Sequence, residues 1–231
     1  MDYQTLQIKN QFSIERVNSQ EEIKLSDAVK THIDQLWQIE SSKRHLFNGA
    51  FLSALSFDTR QLKDTFVPYK YFIAQLKDPS LKPLLKITPV SISGLTLIGE
   101  NVVFAKRSPY VTQFQNYYEL APSGGIDNEF VEGNQVNMRD QLKRELEEEL
   151  GVSSRQVKNI KFFALIYDQE LESIDLCAEI HINSFTMHTR TLEYSQIMTV
   201  PCGELANFVS MEDERFVPLS LLILHLRKYL K

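Results

Sequence analysis

Arg144-Glu145-Leu146-Glu147-Glu148-Glu149-Leu150-Gly151-Val152 is the stretch that decides how this chain is read. Four carboxylates fall within five positions. Residues 138–150 hold neither proline nor glycine, so a helix is expected there, with Gly151 as its stop. At about 100° per residue, Met138, Leu142, Leu146 and Leu150 form one apolar stripe. Glu149 projects at roughly −20° from Leu142, inside that stripe. Glu145 and Glu148 flank it at roughly −60° and −120°. Glu147 points to solvent. Three acids therefore converge on an edge that the helix buries. Like charges are costly there unless a cation compensates them. Lys143 and Arg144 are the basic residues nearby, and Glu149 lies on the far side from them. A hard divalent cation held by carboxylate oxygens accounts for the pattern better than a solvated acidic face.

The run resembles the C-terminal half of the Nudix box, G-x5-E-x7-R-E-U-x-E-E-x-G-U, where U is a bulky aliphatic residue. Arg144, Glu145, Leu146, Glu148, Glu149, Gly151 and Val152 all match it. Ahead lies Pro122-Ser123-Gly124-Gly125-Ile126, similar to the glycine turn that opens the box. Two positions depart. The box expects glutamate at 136 and glycine at 130, and the chain has Val136 and Phe130. An inserted loop from Asp127 to Gln135 is expected. The first box glutamate is then missing, or replaced by Glu129, Glu132 or Asp140.

The chain has 231 residues and a net charge of −5. That balance argues against sequence-independent nucleic-acid binding, which neutralises phosphates with a broad basic surface. Two cysteines, Cys177 and Cys202, form no disulfide framework and fit a reducing compartment. No apolar run is long enough to span a membrane, and no secretory signal opens the chain. A cytoplasmic protein is expected, with neither nucleic acid nor membrane as partner.

Along the chain, two short strands are expected within residues 1–17. Ser19-Gln20-Glu21-Glu22 resembles a capping box opening a helix over 20–40, with Trp37 in the core. A turn and buried strand follow over 45–58, then a helix from Tyr69 to Leu76. Phe66, Tyr69, Tyr71 and Phe72 pack in the core or line a base-stacking cleft. Residues 78–83 are the linker candidate. Strands are expected over 90–98 and 102–108, over 117–121, over 157–167 and 174–182, and over 193–200. A helical turn at 205–209 and a helix over 219–230 close the chain. These elements give an α/β chain with a mixed sheet, divided into an α+β N-terminal extension (1–85) and a second domain (86–231).

The resemblance implies that the second domain is a Nudix α/β/α sandwich. Leu36-Trp37-Gln38, Leu46-Phe47-Asn48-Gly49, Tyr69-Lys70-Tyr71-Phe72 and Phe104-Ala105-Lys106-Arg107-Ser108 also resemble a Nudix subfamily with an N-terminal extension that hydrolyses UDP-glucose and related UDP-sugars. The implied activity is Mg2+-dependent cleavage of a diphosphate, with Mn2+ as a substitute and a small nucleotide as substrate. ADP-ribose, coenzyme A, a nucleoside triphosphate, or nucleotide binding without chemistry are the alternatives. The resemblance makes Glu145, Glu148, Glu149 and the Gly125 carbonyl the metal ligands. Glu145 and Glu149 are also catalytic, and Arg144 and Gly151 are structural. A base outside the box is sought among Glu170, Glu172, Asp175 and Glu179, with Glu179 favoured because a strand holds it rigidly. Lys106 and Arg107 are the candidate phosphate clamps. Pairing of subunits is common in the family, and no residue pattern here demonstrates it.

Overall fold

A computed structural model describes residues 2–17, 24–44, 46–185, 191, 193–211 and 215–230. The capping box at 19–22 and the beginning of the expected 20–40 helix lie partly outside these residues, as does His45. The N-terminal half carries β1 (Tyr3–Gln7), β2 (Ser13–Arg16), α1 (Asp27–Arg44), β3 (Ala50–Phe57), β4 (Gln61–Pro68), α2 (Tyr69–Lys77) and α3 (Lys82–Leu85). There follow β5 (Val90–Ile98), β6 (Asn101–Arg107), β7 (Tyr118–Leu120), β8 (Ser123–Gly125), β9 (Val131–Glu132), β10 (Gln135–Val136) and α4 (Met138–Leu150). The last elements are β11 (Val157–Asp168), β12 (Ser173–Ile182), β13 (Tyr194–Pro201), α5 (Leu205–Val209) and α6 (Pro218–Leu226).

The main sheet runs β1-β11-β12-β5-β6-β13, and only the β12–β5 pair is parallel. Period-two alternation sorts each strand between two cores. Leu176, Ala178 and Ile180 of β12 join Leu142, Leu146 and Leu150 of α4 on one face. Cys177, with Leu95 and Phe104, joins Ile223 and Leu224 of α6 on the other. The result is an α/β/α sandwich.

The sheet forks. β5 and β6 pair only at their turn, through Leu97–Val102 and Ile98–Asn101. Beyond it β8 takes the free edge of β5, and β7 takes that of β6. The chain crosses the fork at Ala121-Pro122, a cis peptide bond. Gly94 faces this crossing. A Cβ there would lie 2.6 Å from Ile180 Cδ1 and 2.8 Å from Pro122 Cδ, so only glycine fits between them.

A second sheet, β3-β4-β2-β10-β9, packs Ile14, Leu52 and Leu62 into the α4-side core. The insertion after Gly125, expected as a loop, forms the β9–β10 hairpin and pairs with β2 at Gln135–Glu15. Val136 is 5% exposed within the core. A glutamate there would be a charge buried in an apolar cluster. The N-terminal segment thus enters both sheets, through β1 on β11 and through β2.

Three further expectations shift. The linker candidate at 78–83 is a folded turn: Asp78 accepts from Ser80 N at 3.0 Å, and Leu81 and Leu85 are buried. Trp37 is half-buried, edge-on to Tyr69 at 6.4 Å, rather than a core residue. Strand β4 escapes the pattern because Asp64 stands on its inward face between Leu62 and Phe66.

Asp64 is fully buried, and neither carboxyl oxygen has a hydrogen-bond partner. Burial is the main cause that lifts its pKa from 3.8 to about 7, against the opposing charge of Arg16. A carboxyl raised in this way stabilises the fold at acid pH, and that stability is lost as pH rises through the folded value. The wild type is therefore expected to lose stability relative to Asp64→Asn between about pH 4 and 7, by up to roughly 1.4 kcal/mol per pH unit. Urea denaturation of both proteins at pH 5 and pH 8 checks this. An equal difference at the two pH values contradicts it.

Candidate metal and active site

Helix α4 is fixed at both ends by its own sequence. Asn137 caps it, its side chain accepting from Asp140 N at 3.3 Å. Gly151, at φ +66°, closes it as the left-handed residue that glycine adopts most readily. Leu142, Leu146 and Leu150 are fully buried. That anchoring drives Glu145 and Glu149, 7% and 4% exposed, against strand β8, so the glycine turn expected at 124–125 is a strand.

Glu149 Oε2 accepts from Ser123 N at 3.0 Å and from Tyr194 OH at 2.8 Å. Its Oε1 is buried without a hydrogen-bond partner among the described residues. Glu145 Oε1 accepts from Gln141 Nε2 at 2.7 Å, with Arg144 Nη2 at 3.4 Å. Gln141 Nε2 also reaches the Gly125 carbonyl at 3.4 Å, so it ties β8 to the helix. Gly124 is where the backbone must approach closely: a Cβ there would lie 2.4 Å from Glu145 Oε2. Gly125 has no such neighbour. The close approach of backbone to helix α4 falls at Gly124.

Two acids missed in the sequence complete the cluster. Glu119 is 3% exposed on β7 and takes both carboxylate bonds from Arg107 Nη1, at 2.6 and 2.7 Å. Glu193, just before β13, is exposed as a residue, yet its carboxyl end meets Glu149. Burial raises Glu145 and Glu119 to about 7. Burial first, and then the charges of Glu193 and Glu145, hold Glu149 well above the ordinary carboxylate range. Glu119 had a signal, an acid flanked by the inward-facing Tyr118 and Leu120 of a buried strand. Glu193 had none.

The other expected residues divide by strand face. Arg107 lines the cleft beside Glu119, whereas Lys106 turns to the opposite face, 4.8 Å above the Tyr118 ring. Glu179 is corrected by the same rule. It shares the Cys177 face of β12, away from α4, and is held by His181 at 3.0 Å and Arg227 at 2.6 and 2.7 Å. Burial works to raise Glu179, but these partners outweigh it and keep its carboxyl low. Glu172 pairs with Lys82 at 2.9 Å in the β11–β12 turn, next to Glu170. Asp175 lines the cleft and accepts from Ser93 Oγ at 2.8 Å. Glu148 is largely exposed, 3.7 Å from Arg144 Nε. Arg144 does not fork onto one box carboxylate. It bonds Asp127, and Glu129 at 2.6 Å, and sits 5.4 Å from the Phe130 ring centre, pinning the insertion to the helix.

Among the described residues, no group of three His, Cys, Asp or Glu side chains is placed to hold a metal ion. The donor set nevertheless fits a hard cation, because an orphaned, buried Glu149 oxygen stands beside further carboxylates with no basic partner of its own. Gly125, Glu145, Glu148, Glu149 and Glu193 are the residues that would hold it.

Glu119 and Glu193 line a cleft of about 800 Å³, together with Arg107, Gly124 and Gly125. Phe47, Phe51, Tyr69 and Phe72 line the same cleft. Of the four aromatics named for such a cleft, Tyr69 and Phe72 reach it. Phe66 packs against the α4-side core instead. No helix among the described residues is long and apolar enough to cross a membrane.

No protein-family model matches the chain, and no curated protein matches it. Solved structures resemble it at low identity. The Nudix domain of Shewanella oneidensis NrtR, complexed with ADP ribose, is 17% identical, with a TM-score of 0.47 over 68% of this chain and 97% of that one. A bifunctional NMN adenylyltransferase/ADP ribose pyrophosphatase from Francisella tularensis is 14% identical, with a TM-score of 0.49 over 68% of this chain and 44% of that one. A Nudix hydrolase from Nitrosomonas europaea is 13% identical, with a TM-score of 0.40 over 60% and 86%. Likenesses at this level decide neither substrate nor chemistry.

The two glycines separate by substitution. Gly124→Ala is expected to destabilise the fold by roughly 1–3 kcal/mol through overpacking against Glu145. Gly125→Ala is expected to change stability by less than about 0.5 kcal/mol. Thermal and urea denaturation measure both. Equal effects contradict the placement of the two glycines.

Proposed function

We propose that the chain is a Nudix hydrolase that uses Mg2+ to cleave a nucleoside diphosphate linked to a second group. The observation that carries the reading is the buried Glu149 with an oxygen unpartnered among the described residues, within the run Arg144–Val152 and beneath Gly124 and Gly125 of β8. A bound Mg2+ would neutralise phosphoryl oxygens and acidify water. Glu145 and Glu149 would hold the cation, aided by Glu148, Glu193 and the Gly125 carbonyl. Tyr194 OH and Ser123 N fix the orientation of the Glu149 carboxylate. Gln141 does the same for Glu145. Arg107, on the cleft wall, presents positive charge to the substrate phosphates while Glu119 holds its guanidinium in place. Water attacks phosphorus and the anhydride P–O bond breaks, leaving a nucleoside monophosphate and a phosphorylated second product.

A UDP-sugar such as UDP-glucose, giving UMP and sugar 1-phosphate, is the substrate to test first. The short N-terminal words around Phe47 and Tyr69 support that choice. ADP-ribose, coenzyme A and nucleoside triphosphates complete the panel. One observation favours a second reading, a nucleotide-binding module without chemistry: the described carboxylates do not form a three-ligand set.

With Mg2+ or Mn2+ and this panel, Glu149→Gln is expected to lower kcat by at least about 100-fold, the scale of losing one fixed electrostatic group. The fold should persist. Glu179→Gln is expected to stay within about threefold of wild type, since its carboxyl lies across the sheet. Product identification by chromatography reads out both. Unchanged turnover in Glu149→Gln rejects the assignment.

A further inference from the structure

In the proposed reaction Arg107 meets the substrate phosphates and Glu149 holds the cation. Buried side chains join the two. Strands β7, β6 and β13 lie side by side, with Arg107 on the central one. Tyr194 of β13 stands directly opposite Arg107, and Glu119 of β7 stands opposite Ala105. All three side chains occupy the α4 face of the sheet. Tyr194 belongs to the core on that face, whereas Lys106, Tyr118 and Leu120 take the other.

Arg107 is held from two sides. Its Nε donates to the Gln113 carbonyl at 3.1 Å, and its Nη1 donates to both Glu119 oxygens at 2.6 and 2.7 Å. The charge of Glu119 is thereby compensated inside the protein. Tyr194 is 1% exposed, and its hydroxyl neighbours two carboxylates. It donates to Glu149 Oε2 at 2.8 Å and lies within bonding reach of Glu119. A phenol carries one proton, so it can satisfy one carboxylate at a time. With Arg107 on Glu119, that proton goes to Glu149. Without Arg107, Glu119 would be a buried carboxylate lacking a donor, and it would compete for the same proton.

We propose that Tyr194 is a positioning residue that makes Glu149 depend on Arg107: the arginine satisfies Glu119, which leaves the Tyr194 hydroxyl to Glu149 and fixes that carboxylate for the cation. The phosphate-binding and cation-binding groups are then set together, although one lies on β6 and the other on α4. This rests on the reading that Glu149 binds a cation, and the coupling through Tyr194 goes beyond it.

The test is calorimetric titration of the full chain with Mn2+, without substrate. Wild type is compared with Glu149→Gln, Tyr194→Phe, Arg107→Gln and the Tyr194→Phe/Arg107→Gln double variant. Tyr194→Phe keeps the ring and removes the donor, and is expected to weaken Mn2+ binding roughly 10-fold, the scale for losing a group that orients a metal ligand. The effect of Arg107→Gln discriminates by its sign. Removing a nearby positive charge tightens Mn2+ binding if charge acts alone. The proposal expects the opposite, a weakening of at least about threefold, with no further weakening when Arg107→Gln is added to Tyr194→Phe. In turnover of the substrate panel, Arg107→Gln should lower kcat and raise KM in the wild-type background, and raise KM alone in the Tyr194→Phe background. Thermal melts establish that each variant is folded. If Tyr194→Phe does not fold, the sign of the Arg107→Gln effect decides. If Arg107→Gln does not fold, Arg107→Lys replaces it, keeping the charge and losing the fork, and should weaken Mn2+ binding only where Tyr194 is present. The proposal falls if Tyr194→Phe binds Mn2+ as wild type does, or if Arg107→Gln tightens Mn2+ binding equally in both backgrounds. Mn2+ binding that needs Glu149 and ignores Tyr194 keeps the cation reading and rejects the coupling. Wild type that binds no Mn2+ rejects both. Coupled Mn2+ binding without turnover upholds the coupling and rejects the hydrolase.

Discussion

One buried carboxylate sets the terms for the site. Glu149 stands on the inward side of α4, its Oε2 accepting from Ser123 N and Tyr194 OH and its Oε1 with no hydrogen-bond donor among the described residues. An ionised group in that position is costly, and Glu145, Glu119 and Glu193 add to the cost. A fold that selected only for stability would place a leucine there, continuing the stripe of Leu142, Leu146 and Leu150. The arrangement becomes favourable when positive charge enters, and the nearest guanidinium groups are already engaged, Arg107 by Glu119 and Arg144 by Asp127 and Glu129. Of these acids, Glu119 and Glu193 line the cleft.

The fork of the main sheet makes that cleft. Because β5 and β6 separate after their turn, β7 and β8 fill two different edges, and the two glycines of β8 lie over α4. Gly94 lets the crossing at Pro122 pack against the sheet, and Gly124 leaves room for Glu145. The N-terminal region completes the cleft by adding β1 to one sheet, donating most of the other, and lining it with Phe47, Phe51, Tyr69 and Phe72.

Much of this was legible in the residues. The box run identified α4, its stop at Gly151 and the inward acids, because helical periodicity carries that information locally. Strand positions followed from alternation wherever the inward face was apolar. What failed depended on contacts between distant segments. Asp64 concealed β4. Val136 was read as a missing ligand, but its reason is packing within the core that β2 and β4 share. Glu179 looked rigid and well placed, yet face parity on β12 sends it to Arg227. Lys106 and Arg107, adjacent in sequence, point to opposite faces for the same reason. Glu193 carried no local signal, and only the return of β13 beside β6 brings it to Glu149.

The central claim is that this acid cluster exists to hold a divalent cation. Crystals soaked in Mn2+, with data collected at the manganese absorption edge, test it most directly. The account predicts one anomalous peak within coordination distance of Glu149 Oε1 and Glu145, beside Gly124 and Gly125 of β8. A peak only elsewhere, or none at saturating Mn2+ with Glu149 still unpartnered, would contradict it.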